Sequence, residues 1–260
     1  TFGRLEQASL KLVLNNGTAT LEKLHADYLG GTLDAHGAAT SRPEPSLRLE
    51  ATVKGLDLAR LKPELAGLSA ESGRLDGHMR LHSSGKSRRD MAANAQGEGR
   101  VDGVDGSVAG IDLAAIDGQL ARIDTIGNVL ALVQTGLAGG RTPFSRLSGH
   151  LSVKDGIARS PDLTLVASGG TVRADLSVNL TRWTTDSSVS LALASLAETP
   201  ITLRLSGSMD APRKVVDANA LQKALVRGGL GRALGTAAAD GTKGGRDTLR
   251  NLLRAFGGDR

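Results

Sequence analysis

The sequence predicts a mainly β protein, a long antiparallel meander sheet with few helices. Two patterns carry that expectation: apolar and polar residues alternate strictly in many segments, and Gly/Asn/Asp turn signals separate those segments. Alternation of period two gives each strand one apolar face and one solvated face, the antiparallel arrangement. Short turns between successive segments make sequence neighbours pair.

In chain order, a first strand lies around Ser9 to Leu14, an open edge that ends at the hairpin signal Asn15-Asn16-Gly17. Leu29-Gly30-Gly31-Thr32 marks the next turn. At 47–54, Leu47, Leu49, Ala51 and Val53 alternate with Arg48, Glu50, Thr52 and Lys54. Gly55 to Leu61 suits a single helical turn. Leu75, Met79 and Leu81 form the following apolar set, and a short helix is expected from Arg88 to Ala95. A long helix is expected from about Ile111 to Leu137, where Leu113, Ile116, Leu120, Ile123, Leu130, Val133 and Leu137 recur at helical spacing. Strands resume with Leu151/Val153, the turn Lys154-Asp155-Gly156, Leu163/Leu165 and the turn Ser168-Gly169-Gly170. At 172–180, Val172, Ala174, Leu176, Val178 and Leu180 alternate with Arg173, Asp175, Ser177 and Asn179, and Val189/Leu191/Leu193 and Ile201/Leu203/Leu205 follow. About ten strands result. Two tail helices, Asp217 to Arg227 and Asp247 to Phe256, flank a Gly/Ala-rich linker at 228–245.

Composition bounds the function. The 260 residues are 40% hydrophobic and 23% charged, a globular balance with enough chain for a real core. The longest apolar run is Val129 to Val133, far short of the ~20 residues of a spanning helix. With no initiator Met, and Thr1 opening into strand-like sequence, the chain is expected to be a fragment or processed form. From Pro212 onward ten Lys/Arg stand against four Asp/Glu, net +6, whereas residues 1–211 hold 22 basic and 23 acidic residues, net −1. The basicity therefore belongs to the tail. With five aromatic residues in the whole chain, no nucleic-acid surface is expected on the body.

Catalytic and metal motifs are not found. Cysteine is absent, which excludes thiol nucleophiles and thiolate metal sites. His78 and His82 lack the Glu of the zinc-protease helix and share the polar side of a strand with Arg74, Asp76 and Arg80. Asp102-Gly-Val-Asp105-Gly lacks calcium-loop spacing and is expected to be a hairpin turn. Gly97-Glu-Gly99 leads into a strand, so it is no dinucleotide fingerprint, and no serine sits in a Gly-x-Ser-x-Gly elbow. The expectation is a protein that is not an enzyme, with no cofactor.

The candidate site is the apolar face itself: Leu47, Leu49, Val53, Leu75, Met79, Leu81, Leu151, Val153, Leu163, Leu165, Val172, Leu176, Val178, Leu191, Leu193, Leu203 and Leu205. Few helices are present to cover so wide a face. Either the sheet folds on itself as a dry sandwich, or a ligand fills the gap. A lining of Leu, Val and Ala leaves width for acyl chains and no hydrogen bonds to orient a polar ligand.

Several segments resemble the AsmA-like family. Gly140-Arg-Thr-Pro-Phe144-Ser-Arg-Leu147-Ser-Gly149, Val153-Lys-Asp-Gly156-Ile and Asp162-Leu-Thr-Leu165 are similar to its C-terminal domain. Gly110-Ile-Asp-Leu113 resembles the family's entry into the helix before that motif, and Ser206-Gly207-Ser-Met-Asp-Ala-Pro212 its closing strand. Leu29-Gly30-Gly31-Thr32-Leu33-Asp34 and Ser83-Ser84-Gly85-Lys86-Ser87 resemble its body repeats. The resemblance implies β body repeats over 1–96, the C-terminal domain over 97–211 and a basic helical tail over 212–260. It implies a curved, taco-like groove that shields phospholipid acyl chains during intermembrane lipid transport and outer-membrane biogenesis. It also implies a place on the periplasmic side of the inner membrane of a two-membrane bacterium. The alternative is a structural or adaptor protein that binds envelope-assembly partners through its sheet edge or tail. In the tail, Leu249, Leu252, Leu253 and Phe256 form one narrow face opposite Arg250 and Arg254. That helix suits either an anionic membrane surface or a cap on the groove.

Overall fold

The computed structural model describes residues 4–61, 64–65, 68–120, 139–194 and 200–216. In chain order the strands are β1 (Leu5–Asn15), β2 (Thr18–Tyr28), β3 (Gly31–Thr40), β4 (Ser46–Asp57), β5 (Glu64–Leu65), β6 (Leu68–Ser84), β7 (Gln96–Ala109), β8 (Arg141–Lys154), β9 (Ile157–Ala167), β10 (Gly170–Asn179), β11 (Thr184–Leu193), β12 (Ile201–Ser208) and β13 (Arg213–Val216). Among the described residues three helical segments interrupt them: α1 (Leu58–Leu61), α2 (Arg88–Ala93) and α3 (Leu113–Leu120). The thirteen strands form one open antiparallel sheet from β1 to β13 in sequence order, with β5 a short flap on β6. The meander is as expected. The strand number exceeds the expected ten, because β1 to β3 lack clean alternation and β5 and β13 are too short to show it.

Local chemistry sets the turns. Asn16 and Gly17 take φ of 44° and 79°, and Asp155 and Gly156 take 50° and 71°, the paired left-handed residues of a tight hairpin. Asp102-Gly-Val-Asp105-Gly is not the expected hairpin turn. It lies inside β7, where Asp105 at φ 51° marks a bulge.

α1 and α2 are shorter than the helices expected over 55–61 and 88–95. The long helix expected over 111–137 is described only as α3, and residues 121–138 lie outside the described part. The tail helices, with Leu249, Arg250, Leu252, Leu253, Arg254 and Phe256, lie outside it as well. Asp112 caps α3 by accepting the Ala115 N–H at 2.8 Å. Ser87 and Asp90 form a reciprocal capping box at the start of α2.

α3 docks on the apolar face through Thr142. The Leu113 N–H donates to Thr142 Oγ1 at 3.1 Å, and the Thr142 hydroxyl donates to the Ile111 carbonyl at 2.7 Å. Both bonds are buried, beside the fully buried Leu113 and Ile116. Leu191, Leu193, Ile201, Leu203 and Phe144 are buried toward the same ends of their strands, so this corner is a dry core. Phe144 lies over Gly106, its register partner, where a Cβ would stand 2.2 Å from the ring. Replacing Thr142 by Val leaves the Leu113 N–H and the Ile111 carbonyl unpaired in that core. We expect a loss of about 1–3 kcal/mol in urea unfolding. An unchanged midpoint would show that the pair contributes nothing.

Candidate functional site

Residues opposite each other in an antiparallel pair share a face, so register alone traces the apolar surface. One row runs Leu56, Leu75, Gly103, Leu147, Leu165, Val172, Leu191 and Ile201, each paired with the next. A second runs Leu12, Leu21, Gly37, Leu49, Leu81, Gly97, Val153, Ala158 and Val178. Each row is apolar or glycine throughout. The pairing of β6 with β7 carries both rows across residue 96 without a break.

Bulges keep the rows in phase. Leu21 and Leu24 are three apart, as are Val53 and Leu56, so in regular strands each pair would point to opposite faces. Register shifts fall between the two members of each pair, at 21/24 and at 53/56. The extra residue returns both side chains to one face. A shift between Phe144 and Arg146 does the same for Phe144 and Leu147.

Every expected lining residue lies in a described strand, but their exposure divides them. Leu47, Leu49, Val53, Leu75, Leu81, Leu151, Val153, Leu163, Leu165, Val172, Leu176, Val178 and Leu205 are half-buried, and Met79 is 39% exposed. Leu191, Leu193 and Leu203 are buried in the dry corner and are not open lining. A hollow of about 760 Å³ lies across β2, β3, β4, β6 and β7, where Leu21, Gly37, Leu49, Leu81 and Gly97 line it together with residues of the opposite parity, among them Glu22, His36, Arg48, Glu50, Arg80 and Glu98. At Gly37 and Gly97 a Cβ would stand 2.2 Å from the Arg48 carbonyl oxygen and 2.4 Å from that of Arg80. Only glycine fits these close approaches. Alternation alone did not reveal Leu21, Gly37 and Gly97; the signal was the three-residue spacing and the single glycines within strands.

The opposite face is charged. His25, Asp34, Thr52, His78, Arg100 and His150 form a continuous register row. His25 Nδ1 lies 2.7 Å from Asp34, Thr52 Oγ1 lies 3.1 Å from His78 Nδ1, and Arg100 makes two bonds to Asp102 at 2.6 and 3.0 Å. Glu50 meets Arg80 at 3.1 Å, with His36 and His78 nearby at 3.5 and 3.8 Å. The Arg80 hydrogen bond holds the Glu50 carboxyl below its ordinary pKa, and the Arg100 hydrogen bond does the same for Asp102. Asp162 is lowered chiefly by the His150 side chain at 2.5 Å and by the His150 N–H at 2.9 Å. The expectation that His78 and His82 share a solvated face with Arg80 agrees with their exposure and register. Among the described residues, no three His, Asp or Glu side chains converge to hold a metal ion. No helix among them is long and apolar enough to cross a membrane.

The sheet has two rims of turns, each stitched by backbone bonds. On one, Ser41 N–H meets Gly17 O, Gly85 meets Pro45, Gly156 meets Ala95, Leu180 meets Gly156, and Met209 meets Trp183. Arg42, Lys86, Arg88, Arg89, Lys154, Arg182 and Arg213 lie on this rim with Glu44, Asp90, Asp155 and Asp210. On the other, Asp57 meets Leu29, Gly110 meets Gly140, Ser168 meets Pro143, and Ala194 meets Gly169. Its described turns carry Arg60 and Arg141 with Asp57, Glu64, Asp112 and Asp117.

The described residues thus form an open β meander with one continuous apolar face and one charged face. The model of the AsmA family matches residues 4–163, more than half of the chain, so this protein belongs to the AsmA family. Searches of curated proteins and of solved structures return no match. The motif residues have physical roles here: Asp112 and Gly140 meet at the α3 entry, Thr142 anchors α3, Phe144 covers Gly106, and Gly149 packs on Leu163.

Carboxylates lowered in the fold contribute stability above the unfolded pKa of about 4 and lose it as pH falls through their folded values. His150→Ala removes the main cause at Asp162. We expect the Asp162 titration, followed by carboxyl carbon NMR, to move up toward the ordinary aspartate value in this variant. An unmoved titration would place the cause elsewhere.

Proposed function

We propose that the apolar face is a non-enzymatic groove that shields phospholipid acyl chains. In this reading the sheet curls into a taco-like trough that contributes to intermembrane lipid transport and outer-membrane biogenesis. The protein then works on the periplasmic side of the inner membrane of a two-membrane bacterium. One observation carries the reading: a registered row of apolar residues and glycines through Leu21, Gly37, Leu49, Leu81 and Gly97 stays half-exposed across β2, β3, β4, β6 and β7. A contiguous open apolar surface of this kind marks an interaction site, and family membership supports lipid as its occupant.

The second reading, an adaptor that binds envelope proteins by strand addition, is favoured by one feature. β1 is an edge strand in which every residue is exposed, with Leu10 at 61% and Leu14 at 74%.

The test is native mass spectrometry of the purified full chain beside two charge insertions. Leu81→Asp places a carboxylate in the open trough, and Ile116→Asp places one in the dry corner. We expect phospholipid on the wild-type protein, a folded but lipid-free Leu81→Asp variant, and an unfolded Ile116→Asp variant by circular dichroism. Unfolding of Leu81→Asp would make the trough a packed core. Lipid-free wild-type protein that captures an alternating apolar peptide on β1 would favour the adaptor.

A further inference from the structure

The rims differ in charge, and the groove reading makes no use of that difference. The rim of turns at 15–18, 40–46, 84–96, 154–157, 179–184 and 208–213 carries seven Lys/Arg against four Asp/Glu, net +3. The described turns of the opposite rim carry two against four, net −2. Among the described turns one rim is thus basic and the other acidic.

The basic rim also holds the chain's single tryptophan. Trp183 sits in the turn between β10 and β11 and is 50% exposed. Its φ is 53°, in the left-handed region that a bulky residue rarely adopts. Two bonds hold it there: the indole N–H donates to Asp210 at 3.0 Å, and its carbonyl accepts the Met209 N–H at 3.0 Å. A large aromatic residue kept half in solvent in a strained turn points to a use for that surface. Arg182 precedes it and is exposed, and Arg88 and Arg89 are exposed at the start of α2. α2 lies four strand spacings away along the rim, roughly 19 Å, so both groups can meet one flat surface. An amphipathic ring flanked by arginines suits the headgroup layer of an anionic membrane.

We propose that this rim docks on an anionic lipid bilayer, with Trp183 at headgroup level and Arg88, Arg89 and Arg182 over lipid phosphates. Docking brings the strand ends that flank the apolar rows to the bilayer. The proposal does not require the groove to bind lipid, so either can fail alone.

Because the chain has one tryptophan, its fluorescence reports this turn directly. The full chain is titrated with vesicles of phosphatidylcholine alone and of equimolar phosphatidylcholine and phosphatidylglycerol. We expect a blue shift of Trp183 emission on the mixed vesicles only, reversed by salt. The exposed triple variant R88Q/R89Q/R182Q should bind about a hundredfold more weakly, at about fivefold per charge. R60Q, on the acidic rim, should bind as the wild type does. Vesicle binding by sedimentation with unshifted emission would assign the contact to the basic tail and overturn the proposal. Unchanged affinity of the triple variant would overturn it too. A rim that ignores anionic vesicles and binds an acidic protein surface would also do so.

Discussion

One constraint governs this structure: the side-chain parity of each strand must match that of its neighbours. A strand one residue out of phase would turn its leucines to water and its charges inward. The pairing satisfies the constraint from β1 to β12, and it does so with bulges. At Leu21/Leu24, Val53/Leu56 and Phe144/Leu147 an extra residue resets the phase that the sequence spacing would break. Bulges also bend the strand that carries them. The same devices therefore keep the face apolar.

The face then divides by what covers it. Near α3 it is closed, with Leu113, Ile116, Leu193 and Ile201 at most 1% exposed, and the Thr142 bonds remove the polar cost of bringing a helix start into that corner. Across β2, β3, β4, β6 and β7 the row through Leu21, Gly37, Leu49, Leu81 and Gly97 remains half-exposed. On the reverse face, ion pairs such as Glu50–Arg80 and Arg100–Asp102 keep the sheet solvated. Being exposed, they contribute little stability each. Their effect is on which face turns to water.

Much of this was legible in the residues. The strand at 47–54 and the strand at 172–180 alternate without a break, and the structure pairs them in the expected sense. The turns at Asn16-Gly17 and Asp155-Gly156 followed from residues that tolerate positive φ. What escaped were features that only pairing defines. Leu21 and Gly37 join the apolar row beside a bulge, and a period-two reading discards a leucine three residues from the next. Asp102 to Gly106 carried turn chemistry, yet its partners on β6 and β8 hold it as a bulged strand. Leu191, Leu193 and Leu203 fit the lining pattern, but burial near α3 depends on tertiary contact that alternation does not encode.

The central claim is that one parity of the sheet meets lipid and the other meets water. The direct test is site-specific photo-crosslinking in cells, with a photoreactive residue in turn at Leu49, Glu50, Arg80 and Leu81. These are adjacent positions of opposite parity on the paired strands β4 and β6. The account predicts lipid adducts at Leu49 and Leu81 and none at Glu50 and Arg80. Adducts at all four positions, or protein adducts alone at Leu49 and Leu81, would contradict it.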